Sequence, residues 1–141
     1  MTNPKNFDIN RQLVYNAVRC LNCNEVLVSY HRHDYKTCKC ENHSMVDGGN
    51  DYQRYGGVDL EKVETIFYFA DDDFEIVRKY AHRGGRGKDG TQPLKWVPIC
   101  EMNDNWLNAV LDYGGAEWHL DLIKKEIQYR KDHNITIKED E

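Results

Sequence analysis

No stretch of this 141-residue sequence approaches the roughly 18 consecutive apolar residues that a membrane-spanning helix needs, and the mean hydropathy is −0.82, so a spanning helix is excluded. The N-terminal Met-Thr-Asn-Pro-Lys-Asn-Phe-Asp has no apolar h-region. Export through a signal peptide is therefore not expected, and a cytoplasmic location is. In a reducing cytosol, cysteines bind metal or react more often than they form disulfides. An excess of positive charge is lacking too: 19 Lys and Arg stand against 24 Asp and Glu, for a net charge of −5. Indiscriminate phosphate binding by the whole surface is thereby excluded. There is no internal repeat and no low-complexity segment. The chain is nevertheless no disordered polymer, since 40% of it is hydrophobic and it carries nine Tyr, four Phe and three Trp. A domain of this size buries roughly 68–70% of its unfolded surface, enough for a core without disulfides.

The short β-prone stretches 12–19 and 25–30 flank Cys20 and Cys23 and read as a hairpin whose turn carries the cysteines. Residues 35–57 are polar and Gly-rich. Irregular chain of that length needs something to fix it, and a metal ion is the natural candidate. Residues 63–70 and 74–81 are aromatic and β-branched, separated by Asp71-Asp72-Asp73. With a third strand at 94–99, confined to an edge or an end by Pro98, they are expected to form an antiparallel meander. Trp106, Leu107, Val110 and Leu111 recur at helical spacing, with Asn103 or Asp104 as N-cap and Gly114-Gly115 as the stop. A second helix is expected from about 116 to 132, with Trp118, Leu122, Ile123 and Ile127 as its apolar stripe and Asn134 ending it. The last residues, 138–141, read as a frayed tail. The pattern predicts an α+β fold in which a helical hairpin closes the chain.

Four of the five cysteines fall in two close pairs, Cys20-x2-Cys23 and Cys38-x-Cys40. Two tight turns that each present two thiols satisfy the tetrahedral preference of Zn2+ without a large scaffold, so these four are the expected zinc ligands. His31, His33 or His43 could replace one thiol, and Cys100 reads as a core residue. A closed four-thiolate site leaves no open position for water or substrate, which makes it a structural rather than a catalytic centre.

Between and after the pairs lie His31, Arg32, His33 and Asp34, then Asp47, Asp51, Tyr52 and Arg54. Histidine serves as acid, base or ligand, and Asp47 with Asp51 could hold a divalent cation. The plainer reading is turn chemistry: Asp47 before Gly48-Gly49, and Arg32 or Arg54 paired with Asp34 or Asp51 to brace a loop. No catalytic residue is assigned on this basis.

The combination Arg32-His33-Asp34-Tyr35, Cys38-x-Cys40, Val46-Asp47-Gly48-Gly49, Asp51-Tyr52 and Arg54-Tyr55-Gly56, preceded by a two-cysteine knuckle, resembles a family of small uncharacterised proteins encoded by tailed bacteriophages. The resemblance covers residues 20–57. It implies a zinc-ribbon-like fold there; along the whole chain the pattern predicts a metal-binding part at 1–60 followed by a meander and two-helix part at 61–141, the two forming separate parts or one continuous domain. The resemblance also implies a phage accessory protein, and it implies no reaction.

From 78 to 95 six basic residues stand against one acidic, Asp89, so an anion could be recruited locally. Arg83, Arg86 and Lys88 lie among four glycines that could form an anion-binding nest. The alternative is a Gly-rich connection with solvated charges. Lys88 is followed by Asp89 rather than Ser or Thr, so this is not a P-loop.

Three functions follow in order. The first is a zinc-stabilised accessory protein that binds a host protein in the infected cell, including as an inhibitor of host defence. The second is a nucleic-acid or nucleotide binder that uses Arg83, Arg86 and Lys88, recognisable by its salt dependence. The third is a metal-dependent hydrolase or nuclease at the His31 to Asp51 cluster, which would need a second, labile cation.

Overall fold

In the computed structural model, which describes residues 10–87 and 89–138, the chain has an α+β architecture and divides into two compact units after Asp73. In the first unit, β1 (Leu13–Cys20), β2 (Val26–Ser29) and β6 (Val63–Phe69) form an antiparallel sheet in the order β2-β1-β6. A second sheet joins β3 (Lys36–Thr37), β4 (Met45–Asp47) and β5 (Arg54–Gly56) in chain order. Val18 and Cys20 from β1, Leu27 from β2, Val46 from β4 and Val63 from β6 form one buried cluster with Cys38. Leu13, Phe67 and Phe69 form another. The hairpin expected around Cys20 and Cys23 is present, with Asn16 opposite Ser29 and Arg19 opposite Val26.

In the second unit, α1 (Phe74–Tyr80) is followed by a two-stranded ribbon of β7 (His82–Gly85) and β8 (Lys95–Pro98), then by α2 (Asp104–Tyr113) and α3 (Glu117–His133). Asn103 caps α2, its side-chain oxygen accepting from the Trp106 N–H at 2.7 Å. Gly114 ends that helix at φ 91°, and Asn134 ends α3 in the left-handed region. These ends agree with the sequence reading. The tail residues 139–141 lie outside the described residues.

The expected meander is corrected at two points. Residues 74–80 form a helix rather than a strand, burying Val77 and Arg78 at adjacent positions with Ala81 one turn on, a spacing that belongs to a helical face. Strand β6 pairs with β1, Val18 lying opposite Thr65, instead of with residues 74–81. The ribbon partner of β8 is β7, with Arg83 opposite Val97.

The apolar stripe expected on α3 is also rotated. The buried face carries His119, Leu122, Ile123, Glu126 and Arg130, while Trp118 and Ile127 are half-buried. His119 Nε2 has no hydrogen-bond partner, and burial, with the charges of Arg83 and His82, lowers its pKa to about 4. The unfolded chain takes up this proton at the ordinary value of 6.5, so between pH 6.5 and 4 it binds more protons than the folded one. Stability is expected to fall as pH drops through that window, by about 1–3 kcal/mol from this residue. Urea unfolding at pH 7.5 and 5.0 checks it: His119→Phe should lose less stability on acidification than the parent protein, and equal losses would contradict the assignment.

Candidate functional site

Strand β1 delivers Cys20 to the interior at its last residue, and the chain then turns tightly: Asn24 N–H donates to Cys20 O at 2.6 Å, and Cys20 N–H to Glu25 O at 2.9 Å. Asn24 sits at φ 64°, a conformation few side chains other than Asn and Gly tolerate. The second pair follows the same logic. Cys38 N–H donates to Ser44 O and His43 N–H to Cys40 O, both at 3.0 Å, with His43 at φ 47°. The two turns bring the sulfurs of Cys20, Cys23, Cys38 and Cys40 within 4.8 Å of one another. Cys20 and Cys40 are 3.5 Å apart, Cys38 and Cys40 3.4 Å.

Tetrahedral ligands at a metal–sulfur distance of ~2.3 Å would be about 3.8 Å apart, so this group could hold a metal ion. Its electrostatics agree. Burial raises the Cys20 pKa, but hydrogen bonds from the Ser44 hydroxyl and the Cys23 and Asn22 N–H groups outweigh it and bring the thiol down to about 6. Cys40 is lowered, chiefly by the Asn22 side chain and the Asn42 N–H. Burial and the neighbouring sulfurs raise Cys38. At Cys23 the Glu25 N–H favours the thiolate, yet burial and the other three sulfurs push the value up to about 12. Without a cation, then, the cluster holds some thiolates at the expense of the others; a central cation lets all four ionise. No histidine joins the group among the described residues. Cys100 is half-buried, and burial raises its pKa.

The polar residues singled out in the sequence fall into three groups of contacts on the loops of the first unit. His33 Nδ1 is 2.9 Å from the Tyr52 hydroxyl, which donates to Asp47 Oδ2 at 3.3 Å. With its proton so engaged, the tyrosine oxygen is left to accept from His33. Burial and the Asp47 charge raise the Tyr52 pKa, against the charges of Arg54 and Arg32. Arg54 lies 3.8 Å from Asp47, Arg32 3.9 Å from Asp51, and His31 3.8 Å from Asp34. Asp34 Oδ2 accepts from the Tyr30 N–H at 2.8 Å and from Lys36 at 3.2 Å, which makes it a brace for its own loop. The Asp47 side chain is 9% exposed and its Oδ1 has no hydrogen-bond partner, whereas Arg32 and Arg54 are about two-thirds exposed.

Two polar residues that drew no attention in the sequence hold these loops. Asn16, fully buried on β1, donates to Asp47 O and Tyr52 O, both at 3.1 Å. Ser29, fully buried on β2, donates to Asp34 O at 2.7 Å and accepts from the Gly49 N–H at 2.9 Å. Gly48 and Gly49 are required where the loops meet. Both have positive φ, and a Cβ would lie 1.9 Å from Tyr52 O at Gly48 and 2.2 Å from the His31 backbone at Gly49. The one trace of this scaffold in the sequence is that Asn16 and Ser29 stand within apolar strand segments, Leu13 to Val18 and Val26 to Tyr30.

In the second unit, Arg83 is half-buried on β7 and Arg86 is exposed, while Lys88 lies outside the described residues. Gly84 and Gly85 belong to β7, where a Cβ would meet the Trp96 ring at 2.9 Å and the Trp106 ring at 2.8 Å. Their role in the structure is close packing against tryptophan. Pairing of Gln92 N–H with Arg86 O and of Gly90 N–H with Gly87 O closes the loop on itself.

Fold and cluster together define a small α+β protein with a four-cysteine centre able to hold a metal. Residues 12–57, about a third of the chain, match a family described as a domain of unknown function (DUF7695). That segment contains both cysteine pairs and all eight of these polar residues. No curated protein and no solved structure matches the chain. No helix among the described residues is long and apolar enough to cross a membrane.

Proposed function

We propose that the chain is a zinc-stapled binding module that engages a protein partner through the surface bearing Arg32, His33, Asp51, Tyr52 and Arg54. One observation carries this reading: the eight separately predicted residues lie in three groups of hydrogen bonds and ion pairs on loops of the first unit, and buried Asn16 and Ser29 anchor those loops through the Asp47, Tyr52 and Asp34 backbone and the Gly49 N–H. Zinc is the metal that a closed four-thiolate tetrahedron suits, and such a centre rigidifies loops without offering a reactive position. The exposed guanidinium groups approach their carboxylates only at 3.8–3.9 Å, which leaves donors for a partner's acidic or carbonyl groups. The resemblance to tailed-phage proteins supports a host protein as the target, met in the cytoplasm of the infected cell, with inhibition of a host defence as the fitting outcome.

Native mass spectrometry should find one zinc per chain. A pull-down from bacterial lysate should recover one specific protein with the parent chain and lose it with Arg32→Glu/Arg54→Glu, which keeps its zinc. A weakening of at least tenfold, about 1.4 kcal/mol, is expected. Failure of the parent chain to recover a partner, or retention of the partner by the double variant, would refute the reading.

A further inference from the structure

In the second unit, two arginines differ from all the others. Each of the remaining six lies 2.6–3.9 Å from a carboxylate, whereas Arg83 and Arg86 make no side-chain hydrogen bond or ion pair among the described residues. Lys95 is exposed and equally unpaired. In the ribbon, Arg83 lies opposite Val97 and Gly85 opposite Lys95, so alternation along the strands gives these four residues a common face. Arg83 and Lys95 are diagonal neighbours on it, about 7–8 Å apart, and Arg86 follows β7 directly at the loop end. Gly85 shows what else is there: a Cβ on it would lie 2.8 Å from Trp106 Cζ2, which places the Trp106 indole on the cationic face. Trp106 is half-buried, and its ring makes no aromatic contact or hydrogen bond among the described residues. Asp104, in the same first turn of α2, is committed to Arg130 at 2.8 Å. The opposite face of the ribbon is already filled, since a Cβ on Gly84 would lie 2.9 Å from the Trp96 ring, and that ring packs against His82 at a centroid distance of 5.5 Å.

We propose that this face of the ribbon, with Arg83, Arg86 and Lys95 beside Trp106, is a binding site for single-stranded nucleic acid. Unpaired cations in a row suit a chain of phosphates, each contact releasing condensed counterions. Arg83 is the most telling of them: half-buried, it has given up part of its hydration and received no partner in return. A phosphate offers the two oxygens that a guanidinium fork takes. Trp106 supplies what inorganic phosphate or an acidic peptide has no use for, an aromatic ring next to the cations on which an unpaired base stacks. A duplex hides its base faces, and its denser phosphates are repelled by the net charge of −5, so the face suits a single strand. The side chains, not the backbone of the glycine loop, are the ligands, because the Gly90 and Gln92 N–H groups close on Gly87 O and Arg86 O.

Fluorescence anisotropy with the full chain and a fluorescein-labelled oligothymidine tests this. Binding in the range of about 1–100 μM is expected at about 50 mM KCl. With three phosphate contacts, the slope of log K against log salt should be about −2, a loss of roughly 20-fold in affinity between about 50 and 200 mM. Arg83→Gln/Lys95→Gln should weaken binding by roughly tenfold or more at the lower salt and flatten the slope to about −0.7. Lys124→Gln/Lys125→Gln, which removes the same charge from exposed positions on α3, should leave affinity and slope unchanged. Trp106→Leu should cost at least about fivefold at an unchanged slope, and Trp106→Phe, which keeps a stacking ring, should recover most of it. Thermal unfolding establishes that each variant is folded, and the paired charge variants decide the question even where a Trp106 variant is not. No binding at about 50 mM KCl, equal losses from the α3 pair, or equal affinity for a duplex overturns the inference. So does displacement of the oligothymidine by polyglutamate as readily as by unlabelled oligothymidine, which would point to an acidic protein segment as the occupant.

Discussion

Stripping the metal with a strong chelator at neutral pH is expected to unfold the β3-β4-β5 sheet and its loops, the largest single effect available in this protein. The strands of that sheet are two, three and three residues long, well below what holds a sheet together by pairing alone. Its share of core is equally thin. The buried cluster beneath it is Val18, Cys20, Leu27, Cys38, Val46 and Val63, with Cys40 packed alongside, so two of its six members belong to the four-cysteine group that could hold a metal. Binding free energies for structural zinc in small finger peptides are about 10–16 kcal/mol near pH 7, against about 5–15 kcal/mol for the stability of a whole domain. Without the ion, the residual apolar contacts of Val46 and Leu27 cannot offset the ordering of residues 36–62. Hydrogen exchange should therefore show the amides of residues 36–56 losing protection on chelation, with Cys38→Ser reproducing the loss and Cys100→Ser leaving protection intact. Retained protection after verified metal removal would mean that the loops are held by Asn16, Ser29 and Asn42 alone.

The parts of this architecture legible in the sequence are those whose cause is local. Two close cysteine pairs announce a four-cysteine cluster able to hold a metal, because the geometry that brings the sulfurs together is built into the spacing. Asn103, Gly114 and Asn134 mark helix ends because capping is a matter of one or two residues. Residues 74–80 misled for the opposite reason. Phe74, Ile76 and Val77 carry strand-like composition, and the residue that completes the helical face is Arg78, whose charge reads as solvent-exposed. The α3 stripe was displaced by the same effect: Glu126 and Arg130 occupy buried positions that a hydrophobic pattern assigns to Ile127 and Trp118. Strand β6 gave no local sign that its partner is β1, more than forty residues earlier, because a turn signal such as Asp71-Asp72-Asp73 speaks only for the next segment. In the polar surface the exposed residues were recognisable by type. What joins them was not, since Asn16 and Ser29 matter through being buried.

Replacing Glu126 is the second large effect, and it follows from those hidden charges. Its side chain is fully buried; Arg78 donates to it from Nε and Nη2, each at 2.8 Å, and Arg130 from Nε at 2.8 Å. Arg130 also donates from Nη1 to Asp104 Oδ1 at 2.8 Å and from Nη2 to Ile99 O at 3.1 Å, and the Arg78 guanidinium lies 4.1 Å from the Tyr129 ring centroid. One carboxylate thus holds together α1, α3 and the turn before α2. Glu126→Gln keeps the shape but leaves two guanidinium groups facing each other with one neutral acceptor between them. Breaking a buried pair in this way costs about 3–5 kcal/mol, because the stranded charge has no water to return to. Denaturant unfolding monitored in the second unit should show that loss. Glu75→Ala, which removes the exposed bond to the Tyr129 hydroxyl, should change stability by less than about 1 kcal/mol. Replacing all three charges by apolar residues of similar volume, Arg78→Met/Glu126→Leu/Arg130→Met, should be far less damaging than Glu126→Gln alone, since no buried charge is left unpaired. Recovery should stay incomplete, because the Ile99 carbonyl would still lose the donor that Arg130 provides. If Glu126→Gln cost no more than Glu75→Ala, the triad would have to be reached by water in solution.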